Sequence, residues 1–401
     1  MPSPLLALAL AIAAPSVTAV ETSPWRSAHA VDVSILQPAA RRAQRISTTI
    51  GWSAREQRTL LLDVFGASFS ATRTAFAQRS DGWMWQGRLD ASPDHAVSLT
   101  MHRGVLAGWV QTPQGRYEIV PLPEGGSALV EVDPTAFSGC GGALPKDALM
   151  RYPALPAPRR TPIAPAGADE PIDVLVVYSP QVLAAMGSLA NVEAEIHAAV
   201  DSANLVFANS DMTARFHLAA IRPFPRDEVD VYDLEWLRID PAALAMREEV
   251  GADLASLWVE NSIDVCGAGF IMDRLDDGFA GDAVQITMRS CAVGDLVYAH
   301  EHGHNLGMQH DPAYGVPPAQ ALFPWAFGHY VDNAFTTVMS YPYDCAGNCF
   351  RAPYFSNPDV RFMGVPTGIA DQRDNHRVGN VTAPIVAGFR PRAWIFADGF
   401  E

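Results

Sequence analysis

The chain has 401 residues, of which 49% are hydrophobic and 18% charged, so it has enough apolar material for at least one full core and general disorder is excluded. Its net charge of -16 argues against a nucleic-acid-binding protein, because such proteins carry a basic face that neutralises phosphates. The charge is unevenly divided: residues 1–168 carry 15 Lys+Arg and 12 Asp+Glu, a net of +3, and residues 169–401 carry 13 and 32, a net of -19.

Residues 1–19 have the features of a secretory signal peptide. An apolar run over residues 5–14 is followed by Pro15 and by the small-residue cleavage site Val17-Thr18-Ala19. The apolar run is too short to span a bilayer, and no later stretch reaches about 18 uninterrupted apolar residues. We therefore expect a secreted, extracellular protein without a membrane anchor.

Residues 20–150 form the next segment, and most of it has a β-hairpin pattern. Short runs of alternating or clustered apolar residues are separated by turn-forming sequences that contain Gly. The predicted strands are 98–102, 105–110, 116–120 and 128–132. The segment contains no catalytic constellation, and we interpret it as a β-rich N-terminal domain.

Residues 151–171 are rich in proline and favour an extended linker. This stretch coincides with the change in net charge, so we place a domain border there. It contains the pair Arg159-Arg160, which is a candidate processing site, although adjacent arginines in a linker are often only solvated charge.

Downstream of the linker, strand patterns alternate with helix patterns. Residues 172–178 form a nearly continuous β-branched run, which is typical of a buried central strand. Residues 191–208 have apolar residues at helical spacing, with Glu193, His197 and Asp201 largely on the other side. Further strands are predicted at 215–221, 252–259 and 283–289. This order predicts a mixed α and β domain.

Residues 300–311, with the sequence HEHGHNLGMQHD, contain four of the 11 histidines of the chain. On a helix, His300 and His304 share one face, and a turn at Gly307 would bring His310 back as a third ligand. Three neutral imidazoles leave the fourth position of a zinc ion open, as in catalytic sites. Glu301 could then accept a proton from the attacking water.

His302 lies in the same run of residues but at a different angle on the helix. We expect it to be a surface residue rather than a ligand. A chance occurrence of the whole pattern is improbable, so a plain polar surface helix is a weak alternative.

The pattern HExxHxxGxxHD resembles the metzincin clan of zinc endopeptidases, and the trailing Asp311 resembles its reprolysin (adamalysin) branch. Residues 336–341, TTVMSY, resemble the methionine turn of that clan, 29 residues after His310, so Met339 would pack under the ligands without coordinating zinc. Tyr341 is similar to the tyrosine that ligates zinc and then stabilises the oxyanion in astacins, serralysins and pappalysins. A purely structural Tyr341 is the alternative.

The resemblance implies an α+β fold, with a metzincin (zincin-like) catalytic domain over residues 172–392 that has a mixed twisted sheet and an active-site helix. The β-rich segment before it would be a prodomain. Residues 283–289 would be the antiparallel edge strand that pairs with an extended substrate. A C-terminal helix is expected around residues 380–389, and residues 393–401 would be a short tail.

Four cysteines lie in this catalytic domain, and an exported protein should pair most of its cysteines. We expect Cys266 to pair with Cys291 and Cys345 with Cys349, although four cysteines allow three connectivities and the sequence does not choose among them.

Cys140 is the odd thiol, and it lies between glycines before the linker. A thiolate could fill the open fourth position on zinc, which resembles the cysteine switch of matrix metalloproteinases and adamalysins. An unpaired or intermolecularly paired cysteine in a loop is the alternative.

The sequence therefore predicts a secreted zinc endopeptidase that is made as a latent precursor, with one catalytic zinc, its own prodomain as a partner, and proteins or peptides as substrates. Calcium is possible, but nothing in the sequence supports it. The alternatives are a catalytically idle adhesion or binding module on the same fold and a zinc hydrolase of non-peptide substrates. The acidity of the catalytic domain would favour basic substrates.

Overall fold

A computed structural model describes residues 23–49, 54–140, 170–261, 263–347 and 349–392. The predicted signal peptide, residues 151–169 of the predicted linker with its processing site, and the predicted tail lie outside the described residues. Within the described ranges, no helix combines the length and apolar character needed to cross a membrane.

Residues 25–132 form a nine-stranded antiparallel sheet. Its strands are β1 (Trp25–Val31), β2 (Ala40–Thr48), β3 (Thr59–Val64), β4 (Ala67–Arg79), β5 (Gly82–Leu89), β6 (Ser92–His102), β7 (Val105–Thr112), β8 (Gly115–Pro121) and β9 (Ser127–Val132). The order across the sheet is β1-β2-β9-β8-β7-β6-β5-β4-β3. Trp25 and Ser27 of one edge strand donate hydrogen bonds to Asp63 of the other, so the sheet curls back on itself. The four predicted strands are present as β6 to β9; β7, β8 and β9 are slightly longer than predicted, whereas β6 begins at Ser92, well before the predicted start at residue 98.

A second, five-stranded sheet begins with the predicted central strand. Its strands are β10 (Ile172–Tyr178), β11 (Phe216–Pro223), β12 (Leu254–Val259), β13 (Gly267–Gly269) and β14 (Val284–Met288), in the order β11-β10-β12-β14-β13. All seven residues of β10 are buried, which explains its continuous apolar sequence. Short strands follow, namely β15 (Tyr330–Val331), β16 (Phe335–Thr336), β17 (Phe350–Arg351), β18 (Arg361–Phe362) and β19 (Val365–Pro366).

The edge strand of the second sheet differs from the prediction. Residues 283–289 were expected to be the antiparallel edge strand, but β14 lies inside the sheet and pairs in parallel with β12. The antiparallel edge is β13, which has the sequence GAG. A three-residue strand of small residues has no period-2 apolar pattern, so the sequence gives no sign of it.

Seven α-helices are present among the described residues. They are α1 (Pro180–Met186), α2 (Leu189–Asn209), α3 (Leu234–Ile239), α4 (Pro241–Val250), α5 (Arg289–Ala292), α6 (Val297–Asn305) and α7 (Asn375–Val386). Ser188 caps α2 by accepting a hydrogen bond from the backbone N–H of Asn191. The C-terminal helix begins earlier than predicted, because Asp374 caps α7 by accepting from the N–H of Arg377.

The polar side of α2 faces the nine-stranded sheet. The buried carboxylate of Asp201 accepts hydrogen bonds from Arg79 and from the Thr100 hydroxyl, the latter at 2.7 Å. Glu193 accepts a hydrogen bond from Arg103 at 2.7 Å. Cations of the N-terminal sheet thus meet acidic groups of α2, in agreement with the division of charge along the sequence.

A carboxylic acid is buried where the N-terminal sheet meets residues 294–295. Glu118, on β8, accepts a hydrogen bond from Gln37 at 2.8 Å. Burial and, to a smaller extent, the charge of Glu195 raise the pKa of Glu118 to about 8, against the lowering effects of the Gln37 hydrogen bond, the charge of Arg289 and the Gly294 backbone. The side chain is therefore largely protonated in the folded chain at neutral pH.

Replacing this acid by its neutral amide should stabilise the chain at alkaline pH. Between the ordinary pKa of 4.5 and about 8, the folded chain binds more protons at Glu118 than the unfolded chain does, so this group lowers stability as the pH rises. At pH 9 the free energy of unfolding of the Glu118→Gln variant should therefore exceed that of the wild type by an amount on the order of a few kcal/mol, so the variant should melt at a higher temperature. The difference should fade towards pH 5. Thermal melting across this pH range measures it. Glu124→Gln, at the partly exposed Arg45 ion pair, is the control and should show little change, and an equal gap at every pH would contradict the prediction.

Candidate metal centre

The centre is built on α6, whose nine residues are all buried. Gly307 has a φ of +84°, a conformation that favours glycine, and it ends the helix. The N–H of Gly307 donates to the carbonyl of His304, and the N–H of Met308 donates to that of Gly303. The chain turns at the predicted glycine and returns towards the helix.

The structure brings together the three predicted histidines. The Nε2 atom of His310 lies 3.1 Å from that of His300 and 3.0 Å from that of His304. A tetrahedral zinc ion with bonds of about 2.0–2.1 Å would separate its nitrogen ligands by roughly 3.3 Å. The three atoms are therefore close to the spacing that a zinc ion requires.

Hydrogen bonds fix which nitrogen atoms face the centre. The Nδ1 atom of His300 lies 2.7 Å from the carbonyl oxygen of Val338, and that of His304 lies 2.8 Å from the carbonyl oxygen of Met308. A carbonyl only accepts, so both Nδ1 atoms carry hydrogen and both Nε2 atoms present lone pairs. Burial lowers the pKa of His304 to about 4 and that of His300 and His310 well below the usual value. Converging lone pairs on neutral rings are the donor set that a metal cation needs.

Cys140 completes a set of four possible ligands. Its sulfur lies 3.9 Å from Nε2 of His304, and the ligand atoms of Cys140 and the three histidines all lie within 4.8 Å of one another. The preceding Gly139 accepts a hydrogen bond from the N–H of Cys266, at 3.0 Å, beside the edge strand β13. The segment before Cys140 therefore lies in the cleft along this edge.

Glu301 is buried next to the centre. Burial raises the pKa of its carboxyl to about 8, while a hydrogen bond with Cys140 and the charge of Arg351 lower it. A Cβ atom at Gly267 would lie 2.7 Å from the Glu301 side chain, so this glycine in β13 leaves room for the carboxyl.

Tyr341 and Met339 lie around the ligands. The hydroxyl of Tyr341 is 3.0 Å from Nε2 of His310, and burial raises the pKa of this phenol far above its usual value, so it stays protonated. A Cβ atom at Gly303 would lie 2.6 Å from the sulfur of Met339, so this methionine packs closely on α6. Both residues lie where the sequence pattern predicts them.

The prediction that His302 lies at the surface was wrong. Its ring is fully buried, 4.8 Å from that of Tyr298 and 5.2 Å from that of Phe216, and its Nδ1 atom is 3.0 Å from the side-chain oxygen of Asn305. Burial lowers its pKa to about 3. The error arose because α6 is buried on all sides, so a polar residue on its far face meets protein instead of water.

Two disulfides are present, Cys266–Cys291 and Cys345–Cys349, which is the expected pairing. The first joins the start of β13 to α5, and the second closes the loop before β17. The first therefore holds β13, whose Gly267 lies against the Glu301 side chain.

Sequence analysis missed the pair Arg351 and Asp295. Both side chains are nearly fully buried, and Nη1 of Arg351 donates to a carboxylate oxygen of Asp295 at 2.6 Å. Neither residue belongs to a spaced motif. The sequence gives no signal for them, because the pairing depends on segments 56 residues apart.

We expect one zinc ion per chain in the purified protein, bound through the three histidines. His304→Ala in a Cys140→Ala background should reduce the zinc content to near zero, because only two of the four possible ligands remain. His302→Gln in the same background, at a buried histidine on the same helix, is the matched control and should retain zinc. Elemental analysis measures the metal, and circular dichroism verifies that both variants are folded. Stoichiometric zinc in the folded chain with His304→Ala and Cys140→Ala would contradict the assignment.

Comparison with known proteins places this centre in a family. The family model described as "Metallo-peptidase family M12B Reprolysin-like" matches residues 169–372. The chain is 27% identical over 381 residues to the peptidyl-Asp metalloendopeptidase of Xanthomonas campestris pv. campestris, covering 88% of this chain and 87% of that protein. It is also 27% identical over 410 residues to the peptidyl-Asp metalloendopeptidase of Stenotrophomonas maltophilia, covering 93% of each. The chain therefore belongs to the reprolysin-like M12B metallopeptidases and is a zinc metalloendopeptidase.

Proposed function

We propose that His300, His304 and His310 bind the catalytic zinc, that Glu301 is the general base, and that the protein hydrolyses peptide bonds within extended segments of other proteins. The observation that carries this proposal is the convergence of the Nε2 atoms of His300 and His304 on that of His310, at 3.1 and 3.0 Å, with Glu301 buried beside them. A binding module without activity has no use for a buried carboxyl at this position.

Each residue has a separate role in the reaction. When bound, zinc supplies a Lewis acid that polarises the attacking water and the scissile carbonyl. The ionised form of the Glu301 carboxyl would be favoured by a zinc ion next to it, and this carboxylate would accept a proton from the water and later deliver it to the leaving amine. The Tyr341 hydroxyl, which remains protonated, donates a hydrogen bond to the oxygen on which negative charge develops.

The edge of the second sheet supports an extended peptide as the substrate. Strand β13 has no partner strand on its outer side among the described residues, and just before it the N–H of Cys266 donates to the carbonyl of Gly139. A chain segment lying in the cleft thus bonds to this edge through its backbone. Because the strand edge binds any extended backbone, it favours unfolded or looped segments.

Replacement of Glu301 should abolish hydrolysis while leaving the metal in place. The Glu301→Ala variant should digest an unfolded protein at least about 100-fold more slowly than the wild type, because the general base is lost. Mass spectrometry of the fragments measures both the rate and the bonds cut. Zinc content is the control. Wild-type protein that holds zinc but cuts no polypeptide would move the assignment to a binding module or a hydrolase of non-peptide substrates.

We further propose that the chain is secreted as a latent precursor, with the β-rich N-terminal domain (20–150) as its prodomain and residues 151–171 as the linker cut during maturation. Two observations support this proposal. The Cys140 sulfur lies among the three histidines, and Gly139 occupies the edge of the cleft, so an incoming substrate must displace both. The docked sheet holds this segment through its contacts with α2 and with residues 294–295.

Latency should depend on the Cys140 thiol. The full chain with Cys140→Ala should cleave a protein substrate, or itself, before the linker is cut, because the fourth zinc position is then open. Arg159→Ala and Arg160→Ala in the same chain keep the linker intact during the assay. Thr135→Ala, at an exposed position in the same segment, is the control and should stay latent. If the Cys140→Ala chain stays latent, the proposal that Cys140 keeps the precursor inactive is contradicted.

The relatives point to a substrate class. Both are named peptidyl-Asp metalloendopeptidases, and we extend this preference for bonds next to aspartate to the present chain. A preference for aspartate is opposite to the preference for basic substrates that the acidity of the catalytic domain predicts.

A further inference from the structure

A cavity of about 400 Å³ lies between the N-terminal sheet, the segment before Cys140 and strand β17, which carries Arg351, and most of its lining residues belong to the N-terminal sheet and to that segment. Its lining includes Phe137, Gly294, Asp295 and Arg351. Phe137 also packs against the Cys266–Cys291 disulfide and Val297. Phe137 is three residues before Cys140, so if this segment leaves with the proposed prodomain, the wall formed by residues 294–295 and 349–351 becomes open to a side chain of a bound peptide.

Arg351 reaches the immediate surroundings of the centre. Its Nη2 atom lies 3.4 Å from the carbonyl oxygen of Ser340, which stands between Met339 and Tyr341. Its positive charge acts on Glu301 and on His300. A carboxylate bound to this guanidinium would therefore belong to a residue close to the scissile bond.

The hydrogen bonds of Arg351 leave one edge of its guanidinium largely unused. Nη1 donates to the carbonyl and to a carboxylate oxygen of Asp295, both at 2.6 Å. Nη2 has only the long contact to Ser340, and Nε, although buried, has no hydrogen-bond partner among the described residues. A buried N–H without a partner is costly, and the Nε–Nη2 edge has the fork geometry that binds a carboxylate through two parallel bonds.

We propose that Arg351 is the specificity-determining residue of this protease and that its Nε–Nη2 edge binds the carboxylate of an acidic substrate side chain. Asp295 holds Nη1 and orients the fork. In the latent arrangement Phe137 lines this cavity with an apolar ring, which cannot accept hydrogen bonds from the Nε–Nη2 edge of Arg351. Nε therefore remains available to a substrate. This inference rests on the proposed endopeptidase function and adds the group that selects the cleavage site.

The test compares two peptides that differ only in one residue, Asp or its neutral isostere Asn, with the full chain expressed and allowed to mature. The measured quantity is the ratio of kcat/KM for the two peptides, with the cut bond identified by mass spectrometry. Hydrogen bonds to a charged group predict a wild-type ratio of roughly tenfold to hundredfold in favour of Asp. Arg351→Lys, which keeps the charge but loses the fork, should lower this ratio, and a variant without the charge should bring it close to one.

Removing Arg351 alone would leave Asp295 as an unpaired buried charge, which destabilises a fold. The neutral variant is therefore the double substitution Arg351→Gln with Asp295→Asn. The matched control is Arg238→Gln with Glu235→Gln, another buried arginine–carboxylate pair, on α3, which does not line the cavity and should keep the wild-type ratio.

The outcomes distinguish a failure of the role proposed for Arg351 from a failure of the proposed endopeptidase function. If the wild type cuts both peptides equally, or if the Arg351 variants keep the full preference for Asp, the role of Arg351 is overturned while the endopeptidase function stands. If the wild type holds zinc but cuts neither these peptides nor an unfolded protein, the proposed function itself fails. A ratio that collapses in the Arg351 variants and persists in the Arg238 control supports the inference.

Discussion

Two hydrogen bonds from imidazoles to backbone carbonyls are the constraint on which the metal centre depends. The carbonyl that orients His300 belongs to Val338, in the segment of Met339, and the carbonyl that orients His304 belongs to Met308, in the turn after Gly307. The lone pairs therefore converge only when α6, the turn after Gly307 and the segment that contains Val338 are all folded. Since neutral lone pairs about 3 Å apart repel each other, the folded chain prepares a site that a cation stabilises.

The N-terminal sheet is attached to the rest of the chain through polar contacts and through Trp109, which is buried in the same hydrophobic cluster as apolar residues of α2. Asp201 and Glu193 of α2 bind side chains of the sheet, and Arg116 donates to the backbone carbonyls of Gly294 and Arg351. Polar contacts of this kind are typical of surfaces that can separate, because water can replace the lost partners. If the N-terminal sheet is the proposed prodomain, its departure exposes this apolar contact to water, while the polar groups exchange their partners for water.

The sequence predicted the parts of the molecule that depend on local spacing. The buried strand 172–178, the turn at Gly307 and the converging histidines follow from periodicity, backbone freedom and the i, i+4 geometry of a helix. It did not predict β13, whose three small residues have no pattern, or the burial of His302, which depends on what packs against the far side of α6. These features arise from tertiary packing, which is absent from any short window of sequence.

The proposed preference for aspartate is compatible with an acidic domain, because the surface charges and Arg351 act on a substrate at different distances. At physiological salt the Debye length is about 8 Å, so charges spread over the surface of the domain are largely screened from a side chain in the cleft. They influence how fast a charged substrate approaches, and this effect weakens as salt increases. A buried guanidinium in direct contact with the substrate is screened much less, so one well-placed arginine can outweigh the net charge of the domain. If Arg351 has the proposed role, substrate choice is a property of its surroundings, and the composition of the chain is a poor guide to it.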